Sequence, residues 1–447
     1  MSYSEGKRPF ERASKSSHSH IINDADVQNF LSNCILPTAA EDVDVESLAH
    51  DLQETPIDSV KGVIAIDGGY QDVVIRDAFP SATFAFLQLG ALYFSLADLK
   101  ALEPKPFIAP EDIAKLKNID RLKAPIPTKT ITFGEMDTFV ESFRFSIFNL
   151  LKASVTEGLP TLKWFIYSEF LTDKTDTWEL ASCPNPQCSE TRIPLRRQDM
   201  EADYTTPCPC CGKTIYLSDV FRLHEVADEE IGASGTLGYL TTTLEQIFML
   251  IWLKAIMDQA PQKLKEFFFI KDGPLAFFGQ TANLHKPMLR LVKHLQDTNQ
   301  FYAVGLEKSG AFVEHAKQIE DRLKPNQFLV MDNDYIYKSI LPGRNESAPA
   351  YGNTTYYGAK VIFKSSDSKV YVATVPIPET LPKYDRHAIP HLDEILTMVG
   401  MLRSDMYDNA MLPIALANKL ISISNHPSAN LLEKFAKGQI SSSTASV

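Results

Sequence analysis

Residues 63–70 read Val-Ile-Ala-Ile-Asp67-Gly68-Gly69-Tyr70. An apolar, β-branched run closing on Asp-Gly-Gly predicts a buried strand that enters a tight turn, with Asp67 at its C-terminal end. Two further strand-like segments, 72–76 and 83–95, follow at once, so the expectation is an antiparallel meander with the first strand central. Segment 136–153 then shows helical spacing, with Phe139, Phe143, Ile147 and Leu150 or Leu151 on one face. Segment 237–258 reads as a long buried helix, and 267–270 as a short buried strand ending at Lys271-Asp272-Gly273-Pro274. Strands are expected at 301–306, 328–331, 355–363 and 369–375, and helices at 391–403 and 411–424. Such an order predicts a mixed α/β fold whose single core is interrupted by an insertion.

Working outward, the 447 residues allow two to four domain-sized units. Residues 1–22 and 436–447 are polar and expected to be disordered tails. Between them lie a first core part (23–177), a cysteine-rich insertion (178–222) and a second core part (223–435). The formal net charge of −12 argues against a protein that coats nucleic acid with a basic surface. It leaves room for an enzyme acting on phosphodiesters, because a carboxylate metal site is itself acidic. No run approaches the roughly 18 apolar residues of a membrane span. With no signal-like apolar segment at the N-terminus, a cytoplasmic address is expected.

Three carboxylates stand out. Asp67 and Asp272 each follow a buried strand and precede glycine, where backbone can approach a ligand closely. Either could instead simply open an Asx-type turn. Glu245 lies in an apolar helix, with Phe248, Met249 and Trp252 on its face. A carboxylate there needs a cation or a charged partner, since desolvation costs several kcal/mol, unless that edge of the helix faces solvent. Two strand-end aspartates and a helical glutamate suit Mn²⁺ or Mg²⁺. A pair of such ions about 4 Å apart would activate a water and stabilise a leaving oxygen.

At this point the sequence resembles the NurA nuclease family. VIAIDGGY around Asp67 is similar to that family's first strand; LEQIFMLIWLKAI around Glu245 looks like its glutamate helix. FFFIKDGPL around Asp272 looks like its second Asp-Gly strand, and AVGLEKSG, with Lys308, like its Val-Gly-x-x-Lys strand. The resemblance implies a ribonuclease H-like core and a manganese-dependent DNA nuclease. It also implies a homodimer working with a HerA-like hexameric ATPase in DNA end processing or anti-phage defence. Lys308 would then touch phosphate. MLPIALANKLISI resembles the family's last helix, but Asn418 stands where a histidine is expected, and Tyr407 lies three residues before the expected tyrosine position. Asparagine can hydrogen-bond a phosphate or water but cannot titrate.

Five of the six cysteines fall between positions 183 and 211. Cys183-x₄-Cys188, nineteen residues, then Cys208-Pro-Cys-Cys211-Gly has the layout of a zinc ribbon. Cys210 or Cys211 could pair with Cys208 on spacing alone; the Cys-Pro-Cys-Cys-Gly form favours Cys211. Structural Zn²⁺ is the expected role, because so short a segment cannot fold on its own core.

Two rival readings remain. Ile-Asp-Gly-Gly also resembles the first phosphate loop of actin-like ATPases and sugar kinases, though no second such loop is found and Pro274 removes a backbone donor. Alternatively, the chain keeps an inactive nuclease core as an adaptor for a translocase, as Asn418 would suggest.

Overall fold

The computed structural model describes residues 16–34, 36, 39–55, 57–102, 119–154, 157–341, 349–403, 411–421 and 428–444. The strands are β1 (His50–Asp51), β2 (Gly62–Arg76), β3 (Ala82–Ser95), β4 (Ile119–Lys129), β5 (Thr177–Ser182), β6 (Thr191–Arg196) and β7 (Thr205–Pro207). They continue with β8 (Thr214–Tyr216), β9 (Phe267–Asp272), β10 (Tyr302–Glu307), β11 (Gln327–Met331), β12 (Gly358–Lys364) and β13 (Val370–Pro376). The helices that shape the core and site are α1 (Phe139–Asn149), α2 (Gly158–Ile166), α3 (Leu237–Gln259), α4 (His285–Thr298), α5 (Ala311–Ile319), α6 (Leu392–Met401), α7 (Leu412–Ile421) and α8 (Ser428–Thr444).

Among the described residues nine strands form one sheet in the order β1-β11-β12-β13-β10-β9-β2-β3-β4. β2, β3 and β4 form an antiparallel meander, with β4 in place of the third strand expected at 72–76. β9 runs parallel to β2, and β10 parallel to β9. The remaining strands extend the sheet in antiparallel fashion. β12 and β13 are buried at every position, including Lys360, Lys364 and Thr374, so neither shows the alternation of a strand with one face in water.

Pleat alternation divides β2 between two cores. Ile64 and Ile66 pack with α3, α2 and α4 on one face. Val63 and Ala65 pack with α6 and α7 on the other. α3 has the length and composition of a membrane span, yet 61% of its most apolar window is buried inside the protein, as in a core helix.

Three expectations change. Gly68-Gly69 does not turn: β2 runs unbroken through it and pairs with β3 from Gly62 to Arg76, with Gly68 opposite Leu89 and Gly69 opposite Gln88. Segment 72–76 is therefore the same strand as 63–67, and Asp67 lies at mid-strand. The sheet's hydrogen bonds to β3 outweigh the local preference of two glycines for a bend. Ser16–Ile22, within the expected N-terminal tail, is helical, and residues 1–15 lie outside the described residues. At the other end, 436–444 belong to α8, where Ala436 is buried against the sheet's far end; 445–447 lie outside the described residues.

Candidate metal centre and cysteine cluster

The candidate site forms where β9 stops and β2 continues. β9 pairs with β2 only from Phe267 to Lys271, so among the described residues that edge of β2 has no strand partner beyond Ile66. Alternation then decides which side each group takes. Asp67 follows Ala65, and Asp272 follows Ile270, onto the α7 face. Lys271 follows Phe269 onto the α3 face, where Glu245 also sits. The site thus straddles the sheet, reached from both sides across a missing strand.

Gly68 makes this possible. A Cβ at that position would stand 3.2 Å from Glu245 Oε1, 3.1 Å from Thr241 Cγ2 and 3.0 Å from Leu89 Cδ2. Glycine is there to let the helix glutamate lie against the strand. Gly305 serves a neighbouring close approach: its Cβ would lie 2.6 Å from the Gly273 carbonyl oxygen, because the chain leaving β9 crosses directly over β10.

Each carboxylate has a partner. Lys271 Nζ lies 2.9 Å from Glu245 Oε2 and donates to the Asp272 carbonyl at 2.6 Å. Lys308, just beyond β10, donates to Asp272 Oδ2 at 2.7 Å. The Asn418 amide suits both its neighbours in one orientation only: Nδ2 donates to Asp67 Oδ2 at 2.7 Å, and Oδ1 accepts from Lys308 Nζ at 2.7 Å. Turned over, oxygen would face oxygen and nitrogen would face nitrogen. Asn418 therefore joins Asp67 to Lys308 from α7.

Crowding of acids shows in their protonation. Burial raises the Asp67 pKa to about 7, reinforced by the charges of Asp272 and Glu245 and opposed by Lys308 and the Gly68 amide. Burial also raises Glu245, against the pull of the Lys271 ammonium. Among the described residues, the only group of three or more acidic, cysteine or histidine ligand atoms within 4.8 Å of one another is the cysteine set. Each carboxylate is met by a different nitrogen: Glu245 by Lys271, Asp272 by Lys308 and Asp67 by the Asn418 amide.

All five residues singled out in the sequence, Asp67, Glu245, Asp272, Lys308 and Asn418, are thus brought together. Lys271 was missed. Its signal was a lysine in the middle of FFFIKDGPL, a strand too apolar to leave a charge unexplained, and its side chain is 3% exposed.

The cysteine cluster lies elsewhere. β5 and β6 form one hairpin and β7 and β8 another, with Cys183 and Cys188 at the tip of the first and Cys208 and Cys211 at the tip of the second. Their four Sγ atoms lie within 4.8 Å of one another, with Cys183–Cys211 at 3.8 Å and Cys188–Cys208 at 4.0 Å. Tetrahedral Zn–S bonds of about 2.3 Å give edges of about 3.8 Å. The set fits zinc, and Cys210 stands outside it. The Lys213 backbone amide pulls the Cys211 thiol down to about 6, while burial pushes Cys183 up. Each knuckle has its own hairpin.

Leu180, Ile193, Leu195, Ile215 and Leu217 of these hairpins join the same core as Leu244 and Ile247 of α3. Arg144 of α1 anchors the second hairpin: its guanidinium donates to Asp219 at 2.9 and 2.6 Å and to the Thr214 carbonyl at 2.9 Å. The insertion is therefore welded to the core by apolar packing and a buried ion pair.

No family model matches the chain, and no curated protein matches it. Solved structures that align along its length include two of NurA. The NurA nuclease from Sulfolobus solfataricus shares 10% identity with a TM-score of 0.32, covering 97% of each chain. A second structure, of NurA, shares 10% identity with a TM-score of 0.31, covering 95% of this chain and 97% of the other. At so low a TM-score, function rests on the site itself.

Proposed function

We propose that this protein is a metal-dependent DNA nuclease with a ribonuclease H-like core. The observation that carries the reading is the convergence of Asp67, Glu245 and Asp272 from a central strand, a core helix and the adjoining parallel strand, at a gap in the sheet open to α7. Strand order β10-β9-β2-β3-β4, a meander flanked by two parallel strands, supports the ribonuclease H-like reading.

Asp67, Asp272 and Glu245 would hold the divalent ion, Mn²⁺ or Mg²⁺. Bound there, such an ion supplies an activated water and charge neutralisation at a phosphodiester. Lys308 is the group best placed to meet the phosphate: it reaches Asp272 while its side chain stays 32% exposed. Asn418 orients Lys308 through its oxygen and Asp67 through its nitrogen. It carries no proton for transfer, so its role is to position both.

The motif resemblance extends the reading to a homodimer acting with a HerA-like hexameric ATPase, and to structural zinc in the cysteine cluster. The test is degradation of DNA with Mn²⁺ or Mg²⁺, with and without such an ATPase, by wild type, Asp67→Ala and Asp272→Ala. Metal-dependent cutting lost in both variants supports the reading; equal cutting by all three places the chemistry elsewhere. An inactive adaptor, the reading Asn418 favours, would show no cutting by wild type under either condition.

A further inference from the structure

Three carboxylates meet two ammonium groups in this site, and the two lysines differ. Lys308 is a third exposed and held by Asp272 and Asn418, side chains on the open face. Lys271 is sealed. Its side chain is 3% exposed, that of its partner Glu245 is 8% exposed, and its ammonium is fixed by Glu245 Oε2 and the Asp272 carbonyl together. Lys308 has a path to solvent when a cation or phosphate arrives; Lys271 has none without opening the core.

We propose that Lys271 is a built-in cation that restricts the centre to a single divalent ion. This rests on the nuclease reading for the ion itself. With Lys271 on Oε2, Glu245 has one oxygen left, Oε1, which lies 3.2 Å from the Cβ position of Gly68, the residue after Asp67. Asp67, Asp272 and that one oxygen would hold the ion, while the Lys271 ammonium occupies the space between Glu245 Oε2 and the Asp272 carbonyl, where a second ion would have to displace it. Charge agrees with this. Three carboxylates and two lysines sum to −1, so one divalent ion leaves the site at +1, matched to a phosphodiester monoanion. Two ions would leave +3 in a largely buried space. The expectation of an ion pair about 4 Å apart, drawn from the carboxylates alone, omitted this lysine. Lys271 acts through Glu245 and is a positioning residue.

The test is a Mn²⁺ titration of the full, zinc-loaded chain, followed by calorimetry for stoichiometry and by electron paramagnetic resonance for coupling between ions. One uncoupled Mn²⁺ per chain, lost in Asp67→Ala, is the expected result. Two Mn²⁺, or a spin-coupled pair, overturns the inference and leaves the nuclease reading standing; no binding overturns both. Lys271→Met, which keeps the length and removes the charge, should admit a second Mn²⁺, whereas Lys271→Arg should stay at one. A folded Lys271→Met that still takes one ion overturns the inference. If that variant does not fold, the wild-type stoichiometry still decides.

Discussion

Glu245 Oε1 lies 3.2 Å from the point where a side chain at Gly68 would begin. The helix glutamate reaches the strand aspartates only because β2 has no Cβ there. Gly68→Ala must push Glu245, Thr241 and Leu89 apart by a few tenths of an ångström each. Mn²⁺ affinity should fall about 10–100-fold, as for other changes in the groups supporting a metal ligand. Gly69→Ala is the control, since nothing lies within 4 Å of its Cβ position. Calorimetric titration of both variants checks this; equal affinities would show that Glu245 does not depend on the gap.

Asp67 should cost the metal-free fold stability. Its folded pKa, about 7, lies above the ordinary carboxyl value, so the stabilising protonated form is fully present below about 4 and lost as pH rises through 7. Asp67→Asn, neutral at every pH, should stabilise the metal-free protein at pH 8 by up to about 4 kcal/mol. The same variant should lose the rise in Tm that Mn²⁺ gives the wild type. Thermal melts with and without Mn²⁺ measure both, and a destabilised Asp67→Asn would argue that Asp67 is structural.

Four histidines oppose that trend. Burial lowers the pKa of His224, His285, His294 and His315, so each holds a proton less readily in the fold than in the unfolded chain. Unfolded, they take up protons as pH falls through about 6.5. The unfolded chain then binds more protons, and stability must decline below that pH. Melting Asp67→Asn between pH 8 and 5, with and without replacement of the four histidines by Gln, separates their contribution from those of Glu245 and Cys211; identical profiles would mean these rings keep ordinary affinity for protons.

Arg144 and Asp219 are both almost wholly buried, 2.6 Å apart at their closest atoms. Asp219 also accepts from the Tyr216 amide at 2.8 Å, which fixes the end of β8. Arg144→Met strands the aspartate and should destabilise the fold by about 3–5 kcal/mol. Denaturant unfolding measures the loss, and a zinc assay on the still-folded fraction should find the cysteine set loaded. Loss of zinc before unfolding would mean that the pair, rather than the two hairpins, sets the cysteine geometry.

Much of this was legible in sequence because local chemistry is one-dimensional. VIAI is a buried strand in any context, LEQIFMLIWL is a core helix, and two cysteine pairs at ribbon spacing meet as expected. β4 was not legible: its residues include Pro125 and Pro127, which break the strand pattern and are tolerated because β4 lies at the sheet's edge. Gly68-Gly69 misled for the opposite reason, since glycine's freedom to turn is also freedom to remain extended when β3 pairs alongside.

The sequence by itself pointed to Asp67 and Glu245 and to the apolar strand and helix that bury them, though not to the equally buried Asp219. Only the tertiary structure decided that they converge. Asp67 and Glu245 lie on opposite faces of the sheet and meet because β9 ends one residue after Lys271 while β2 runs on. Where one strand stops beside another depends on pairing between residues about two hundred positions apart, and so does the ammonium that Lys271 places on Glu245.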